Sequence, residues 1–248
     1  MKWSRLLPMV FILLILGAWE GLCRSLDIPD YILPPPSGIL NITVSEAGLL
    51  VPHAAVTALE IFLGIGLALL IAVPLATVMF INPSLEQAFS PFLVASQAVP
   101  VFALAPLLVV WLGYGIASKV LMAAIIIFFP VTVNLLEGFK NCGSEYRMLF
   151  KLMGANFWQA MRRLYWPWAL PFFFSGLKVG VAVATIGAVI GEWVGAQRGL
   201  GYLMIQANAR LRVDLVFAAI LWLSVMGLGM WSFVGMLEKK IIHWRISS

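Results

Sequence analysis

The side chains in this sequence that could carry out covalent or metal chemistry are not spaced to do it together. His53 and His243 stand at remote ends, outside any His-Glu-x-x-His pair, and Cys23 and Cys142 form no cluster, so no metal site is expected. Serines occur without a Gly-x-Ser-x-Gly turn or a histidine partner. The Gly-x-x-x-x-Gly-Lys-Ser/Thr cradle for nucleotide phosphates is absent, so the chain does not hydrolyse ATP alone. Glu60, Glu137 and Glu192 are too scattered to pair as acid and base. What the sequence does concentrate is charge for recognition. "RMLFKLMGANFWQAMRRLYWPWALP", residues 147–171, gathers Arg147, Lys151, Arg162 and Arg163 within one short helical stretch.

The elements around that stretch are apolar. Over 248 residues, 62% are hydrophobic and 11% charged, too little polar surface to coat a soluble globule of this size. A bilayer is the expected solvent. The 16 basic residues against 11 acidic lie between apolar runs, where orientation in a membrane explains them better than nucleic acid does. Cys23 and Cys142 fall in expected loops on opposite sides of the membrane and are not expected to form a disulfide. Lys2 and Arg5 ahead of the first apolar run resemble a secretory signal, but Glu20 and Leu22 flank Cys23 where a cleavage site needs small residues. An uncleaved first span is therefore expected.

A bilayer core of about 30 Å needs about 20 apolar residues per helix. Runs at roughly 6–22, 53–80, 91–112, 118–137, 171–194 and 214–237 qualify, giving six spans in one transmembrane domain over 1–248. The first is short, and Pro100 and Pro106 mark the third as a candidate for bending. With both termini inside, Lys2, Arg5, Lys140, Arg147, Lys151, Arg162, Arg163, Lys239, Lys240 and Arg245 face the cytoplasm. Arg24, Lys119, Arg198, Arg210 and Arg212 then face out, a two-to-one bias in the expected sense. Trp19, Trp111 and Trp193 near outer ends and Trp3, Trp166, Trp168 and Trp244 near inner ends fit interfacial anchors. The prolines of "IPDYILPPPSG" make residues 23–52 read as a stiff outer strap rather than another helix. No internal repeat of the inverted-repeat carriers is visible.

Residues 138–170 form a cytoplasmic loop far longer than a minimal helix connection. On a helical wheel Leu149, Leu152, Met153, Ala160 and Leu164 share one side, with Arg147, Lys151, Gln159, Arg162 and Arg163 toward the other. Gly154 interrupts the pattern, so one continuous helix and two short helices joined at a turn are equally compatible with it. The amphipathic face suits anionic lipid headgroups as well as a protein partner.

The order of landmarks in this loop resembles the signature of ABC-importer permeases. In that family a Glu-Ala-Ala triplet precedes a glycine by four residues, and the loop ends in Ile-x-Leu-Pro. Gly154 and Pro167 keep that spacing, Leu164-Tyr165-Trp166-Pro167 stands at the ending, and Met148-Leu149-Phe150 occupies the triplet's place without its acidic residue. The resemblance implies that residues 148–167, including Ala155, insert into a cleft on a cytoplasmic ATPase subunit, with Glu145 substituting for the missing acid. "PFLVASQAVPVFALAPLLVVWLGYGIASKV" and "GEWVGAQRGLGYLM" are similar to segments of the nitrate, sulfonate and taurine permease group. Around Glu192, Trp193 and Gly199-Leu200-Gly201-Tyr202 the wording looks closest to permeases for pyrimidine precursors of thiamine.

The fifth span carries small residues at three- and four-residue steps: Gly176, Gly180, Ala184, Gly187, Ala188, Gly191 and Gly195. In lipid such residues let backbones approach, either within the chain or against a second subunit, and the resemblance favours the second. Charges in spans need a reason, because insertion costs about 2.5–3.5 kcal/mol each. Lys178 reads as snorkelling to the inner interface. Glu60 pairs with another helix or lines a cavity, while Glu192 beside Trp193 suits a flat heterocycle or a cation, or a gate. Gln97 and Asn134 add polar groups at opposite depths, each also able to bond a helix backbone.

The resemblance implies an all-α integral membrane fold, the six-span transmembrane domain of a type I ABC importer. It further implies a bacterial inner-membrane homodimer in contact with membrane lipid. A cytoplasmic ATPase would bind ATP and Mg, and an extracytoplasmic substrate-binding protein would deliver a small polar solute for alternating access. An integral-membrane enzyme with a basic cytoplasmic loop, or an autonomous channel or ion-coupled carrier, are the alternatives.

Overall fold

A computed structural model describes residues 3–244, with side chains from Leu7 onward. Lys2 and Arg245, counted above on the inner side, lie outside the described residues, as do the side chains of Trp3 and Arg5. All regular structure among the described residues is helical: α1 Trp3–Ser25, α2 Pro36–Ser45, α3 Ala47–Ile81, α4 Pro83–Ala98, α5 Val101–Leu112, α6 Ile116–Lys140, α7 Ser144–Leu152, α8 Phe157–Ala160, α9 Trp166–Gly195, α10 Leu200–Ala209 and α11 Val213–Ile241. Among the described residues, five helices are long and apolar enough to cross a bilayer, and a sixth span results if α4 and α5 count as one. That pair bends by 99° at Val99–Pro100. Pro100 has no N–H to continue a helix and disfavours helical geometry at Val99, so the span expected at 91–112, whose prolines marked it for bending, is broken there into two helices.

The chain divides into two compact units. The first comprises residues 1–57 and 197–224. Here the expected strap at 23–52 is corrected, because α1 runs through Cys23 to Ser25, α2 occupies 36–45, and α3 begins at Ala47. Three prolines were read as an extended chain, yet Pro36 sits in the first turn of α2, where a missing N–H costs nothing. Glu20 at the end of α1 supplies the cap that Pro35 lacks: its carboxylate accepts from Ser37 N at 3.0 Å and from Ser37 Oγ at 2.7 Å. Similarly, α3 caps α10. Thr57 Oγ1 accepts from Leu200 N at 2.9 Å, and His53 Nδ1 lies 3.0 Å from Gly199 N.

The second unit comprises residues 58–196 and 225–248. Its centre is the antiparallel pair α6 and α9, joined through the loop at 141–165. The pair approaches closely because glycine removes the Cβ at successive turns. Gly191 lies against Lys119, Gly187 against Ala123, Gly180 against Ile127 and Gly176 against Pro130. Ile61, Ala68, Ala72, Ile127, Val131, Val181, Ala184 and Val234 fill the core around this seam. The chain from Phe157 to Gly195 is helical for 39 residues, the only interruption in pattern being a π-turn at Met161–Tyr165. At 1.5 Å per residue that is about 58 Å, roughly twice a bilayer core, so the helix extends well beyond the hydrocarbon.

Candidate functional site

The loop at 141–165 folds as two helices joined by a turn. Helix α7 is followed by Met153 and Gly154, and Gly154 takes φ +70. Its amide donates to Lys151 O, and the Ala155 amide returns to Phe150 O, closing α7 in the left-handed manner that glycine permits without a Cβ penalty. Asn156 then starts α8 with a capping box: Asn156 Oδ1 accepts from Gln159 N and Gln159 Oε1 from Asn156 N, both at 2.9 Å. From there the helix passes through the π-turn into α9.

Burial divides this loop sharply. Met161 is 3% exposed and packs with Leu135, Leu136, Phe139 and Ala169 in the core of its unit, and Leu164 is also buried. By contrast, α7 buries no residue. Met148, Leu149, Leu152 and Met153 are exposed, Leu152 by 80%, and Phe157 and Trp158 continue the apolar surface beyond the turn. Glu145 is exposed in the first turn of α7, Phe150 and Ala155 are half-buried, and Pro167 lies in the first turn of α9. The amphipathic wheel therefore splits: Leu149, Leu152 and Met153 present one free face, while Leu164, drawn with them on the wheel, belongs to the core. The chain reverses its helical phase at the Gly154 turn between α7 and α8, so a single 100° period cannot carry a face across it. Cys142 is buried beneath the start of α7, and that burial pushes its thiol above the ordinary range.

At the far end of α9 the structure joins three charged residues that the sequence left apart. Glu60 of α3, Lys119 of α6 and Glu192 of α9 are all buried, and both carboxyl groups interact electrostatically with the Lys119 ammonium. Lys119 Nζ donates to Tyr114 O at 2.7 Å, Gly115 O at 3.0 Å and Gly195 O at 2.8 Å. Lys119, expected on the outer side, is 1% exposed, because Gly191 and the turn at 113–115 close over its stem. Trp193 is 51% exposed and Glu192 only 1%, so these neighbours do not form a joint stacking and hydrogen-bonding surface within the chain.

The remaining polar positions separate by depth. Gln97 is exposed one residue before the end of α4, bonded to Ser96 Oγ beside the Val99–Pro100 break. Asn134 bonds Pro130 O at 2.8 Å, within its own helix. Lys178 forms an ion pair with Glu238, near the end of α11, and lies 5.8 Å from the Trp231 ring centroid. In the other unit a cavity of about 390 Å³ is lined by His53, Gln197, Arg198 and Tyr202, with the His53 and Tyr202 rings stacked. No group of histidine, cysteine or carboxylate side chains among the described residues could hold a metal ion.

Residues 64–243 match the family described as the binding-protein-dependent transport system inner membrane component. The chain belongs to this permease family. The permease is 41% identical over 99% of its length to a probable ABC transporter permease protein of Haemophilus influenzae, covering all of that protein. It is 38% identical to the formylaminopyrimidine transport permease protein ThiX of Halalkalibacterium halodurans, covering 98% of each chain. Identity to the riboflavin transport system permease protein RibX of Chloroflexus aurantiacus is 36% over 99% of the permease and 92% of that protein. Among solved structures, the inward-facing MetNI methionine ABC transporter superposes with a TM-score of 0.67, covering 80% of the permease and 97% of that chain at 16% identity. The permease thus has the type I importer fold and is an inner-membrane transport subunit whose ATPase is a separate protein.

Proposed function

We propose that this permease is the membrane half of an ATP-driven importer for a small, flat nitrogen heteroaromatic, with a pyrimidine precursor of thiamine as the leading candidate. The observation that carries the importer reading is the free apolar face of Met148, Leu149, Leu152 and Met153 beside the Gly154 turn, at the foot of a helix that continues to Gly195. A contiguous apolar face of this kind on a polar-flanked loop suits a cleft on a soluble partner. In this reading Glu145 through Pro167 face the cytoplasm with both termini. The ATPase carries ATP and Mg, and two identical permeases enclose the pathway. Closure of the ATPases moves α7, and the rigid span exchanges an outer for an inner opening.

The substrate class rests on the named cargo of two relatives, formylaminopyrimidine and riboflavin, both flat nitrogen heteroaromatics. Within the chain, the exposed Gln97 at the α4–α5 break is the pathway position favoured by geometry, since an amide and freed backbone groups suit such a solute. The test is reconstitution of the permease in proteoliposomes with its ATPase and binding protein. Uptake should require ATP and both partners, and pyrimidines rather than sulfonates should raise the binding protein's melting temperature. Flux through the permease alone would instead identify a channel or carrier.

A further inference from the structure

We propose that Lys119 is a positioning residue for transport: it latches the end of α9 to the turn between α5 and α6, so that the long coupling helix and the bent α4–α5 pair move together. The inference rests on the importer reading above.

The geometry is specific. A lysine ammonium has three N–H donors, and at Lys119 all three are taken by carbonyl oxygens, two from the turn ahead of α6 and one from the last residue of α9. Gly195 O is one of the carbonyls that a helix C-terminus leaves unpaired, and a cation there also opposes the negative end of the helix dipole. The same turn packs its Tyr114 ring over Gly195, where a Cβ would come within 2.8 Å of Tyr114 Cδ1. The turn in turn holds α5. Gly113 N donates to Val109 O at 2.8 Å, and Ala105 and Leu108 of α5 pack with Met122 of α6 and Ile190 of α9. Glu60 and Glu192 are buried in the same cluster as the ammonium.

Apolar packing of Ile190 on Ala105 and Leu108 permits small shear between helices, whereas the bonds of Lys119 fix the end of α9 to the turn. With that latch, a displacement entering at Gly154 reaches the break at Val99–Pro100 through bonded backbone. That break is where Gln97 is exposed.

The experiment uses the assembled importer in proteoliposomes. Lys119→Met should lower uptake per ATP hydrolysed by about tenfold, while basal hydrolysis and ATPase association stay near wild type. A covalent substitute for the latch should then restore coupling. In a Cys23→Ser, Cys142→Ser background, Tyr114→Cys and Gly195→Cys joined by a short thiol-reactive linker should return uptake to K119M, and linker cleavage should abolish it again. An unchanged ratio of uptake to hydrolysis in K119M would overturn the latch. So would uptake, hydrolysis and thermal stability falling in parallel with no rescue by the linker, which is the signature of a packing role alone. If the unsubstituted complex shows no ATP-dependent uptake, it is the importer reading that fails.

Discussion

Gly176 packs against Pro130 with no room for a side chain: a Cβ at position 176 would lie 2.5 Å from Pro130 O and 2.8 Å from Asn134 Cβ. The obstruction is backbone, so it cannot rotate aside. Gly176→Ala should therefore separate α6 from α9 at this turn and destabilise the permease by about 2 kcal/mol, the usual cost of overpacking. Gly227→Ala is the internal control, because its Cβ would meet Thr185 Cγ2 at an ordinary 3.6 Å. Thermal unfolding in detergent should separate the two variants, and equal midpoints would refute the close approach.

The Gly154 turn makes a different demand. Nothing lies within 4 Å of a Cβ there, so a substitution meets no steric wall, only the cost of φ +70 for an L-residue. That cost is about 1–2 kcal/mol for most side chains and less for asparagine. Gly154→Leu should leave the permease inserted but weaken ATPase association and uptake, with Gly154→Asn retaining most of both. Co-purification with the ATPase measures the first effect. Wild-type association in G154L would show that the turn plays no part in docking.

Which features were legible in the sequence follows from the range of the forces involved. Spans announced themselves through apolar length, and the glycine of the turn through its interruption of the amphipathic pattern, because both are local. The α2 helix was missed since three prolines weigh toward extended chain, and only the Glu20 carboxylate, brought from α1, reveals the helix start. The burial of Lys119 was hidden for the same reason. Its position near a span end matches an exposed basic residue, and the partners that bury it come from elements up to 76 positions away. Leu164 joined the wrong face because the Gly154 turn separates its helix from α7, and one period does not run across a turn.

Lys178 and Glu238 offer a test of charge inside the bundle. Each is less than one-third exposed, and Trp231 stacks near the ammonium. Removing one partner strands the other in a poorly hydrated setting, at a cost of about 3 kcal/mol, whereas replacing both with apolar residues leaves nothing uncompensated. Lys178→Met and Glu238→Leu should each lower the melting temperature more than the double variant K178M/E238L does. A double variant as unstable as the sum of the singles would mean that the two side chains act independently.

The free face of α7 carries the sharpest separation between folding and assembly. Met148, Leu149 and Leu152 are exposed and α7 buries nothing, so changing them should leave the isolated permease within about 0.5 kcal/mol of its stability. If the ATPase cleft takes that face, the same residues become buried anchors, and truncating such an anchor costs about 2 kcal/mol of binding, or roughly thirtyfold in affinity. Leu152→Glu should be more severe, because it places a charge against an apolar cleft. Arg162 and Arg163, exposed on the opposite side of the π-turn, supply the comparison. Lipid docking would lose affinity for anionic vesicles on both R162Q/R163Q and Leu152→Glu, whereas ATPase docking would lose co-purification on Leu152→Glu and keep it on R162Q/R163Q. Measuring ATPase co-purification and vesicle binding for both variants therefore distinguishes a protein cleft from a headgroup layer as the partner of this face.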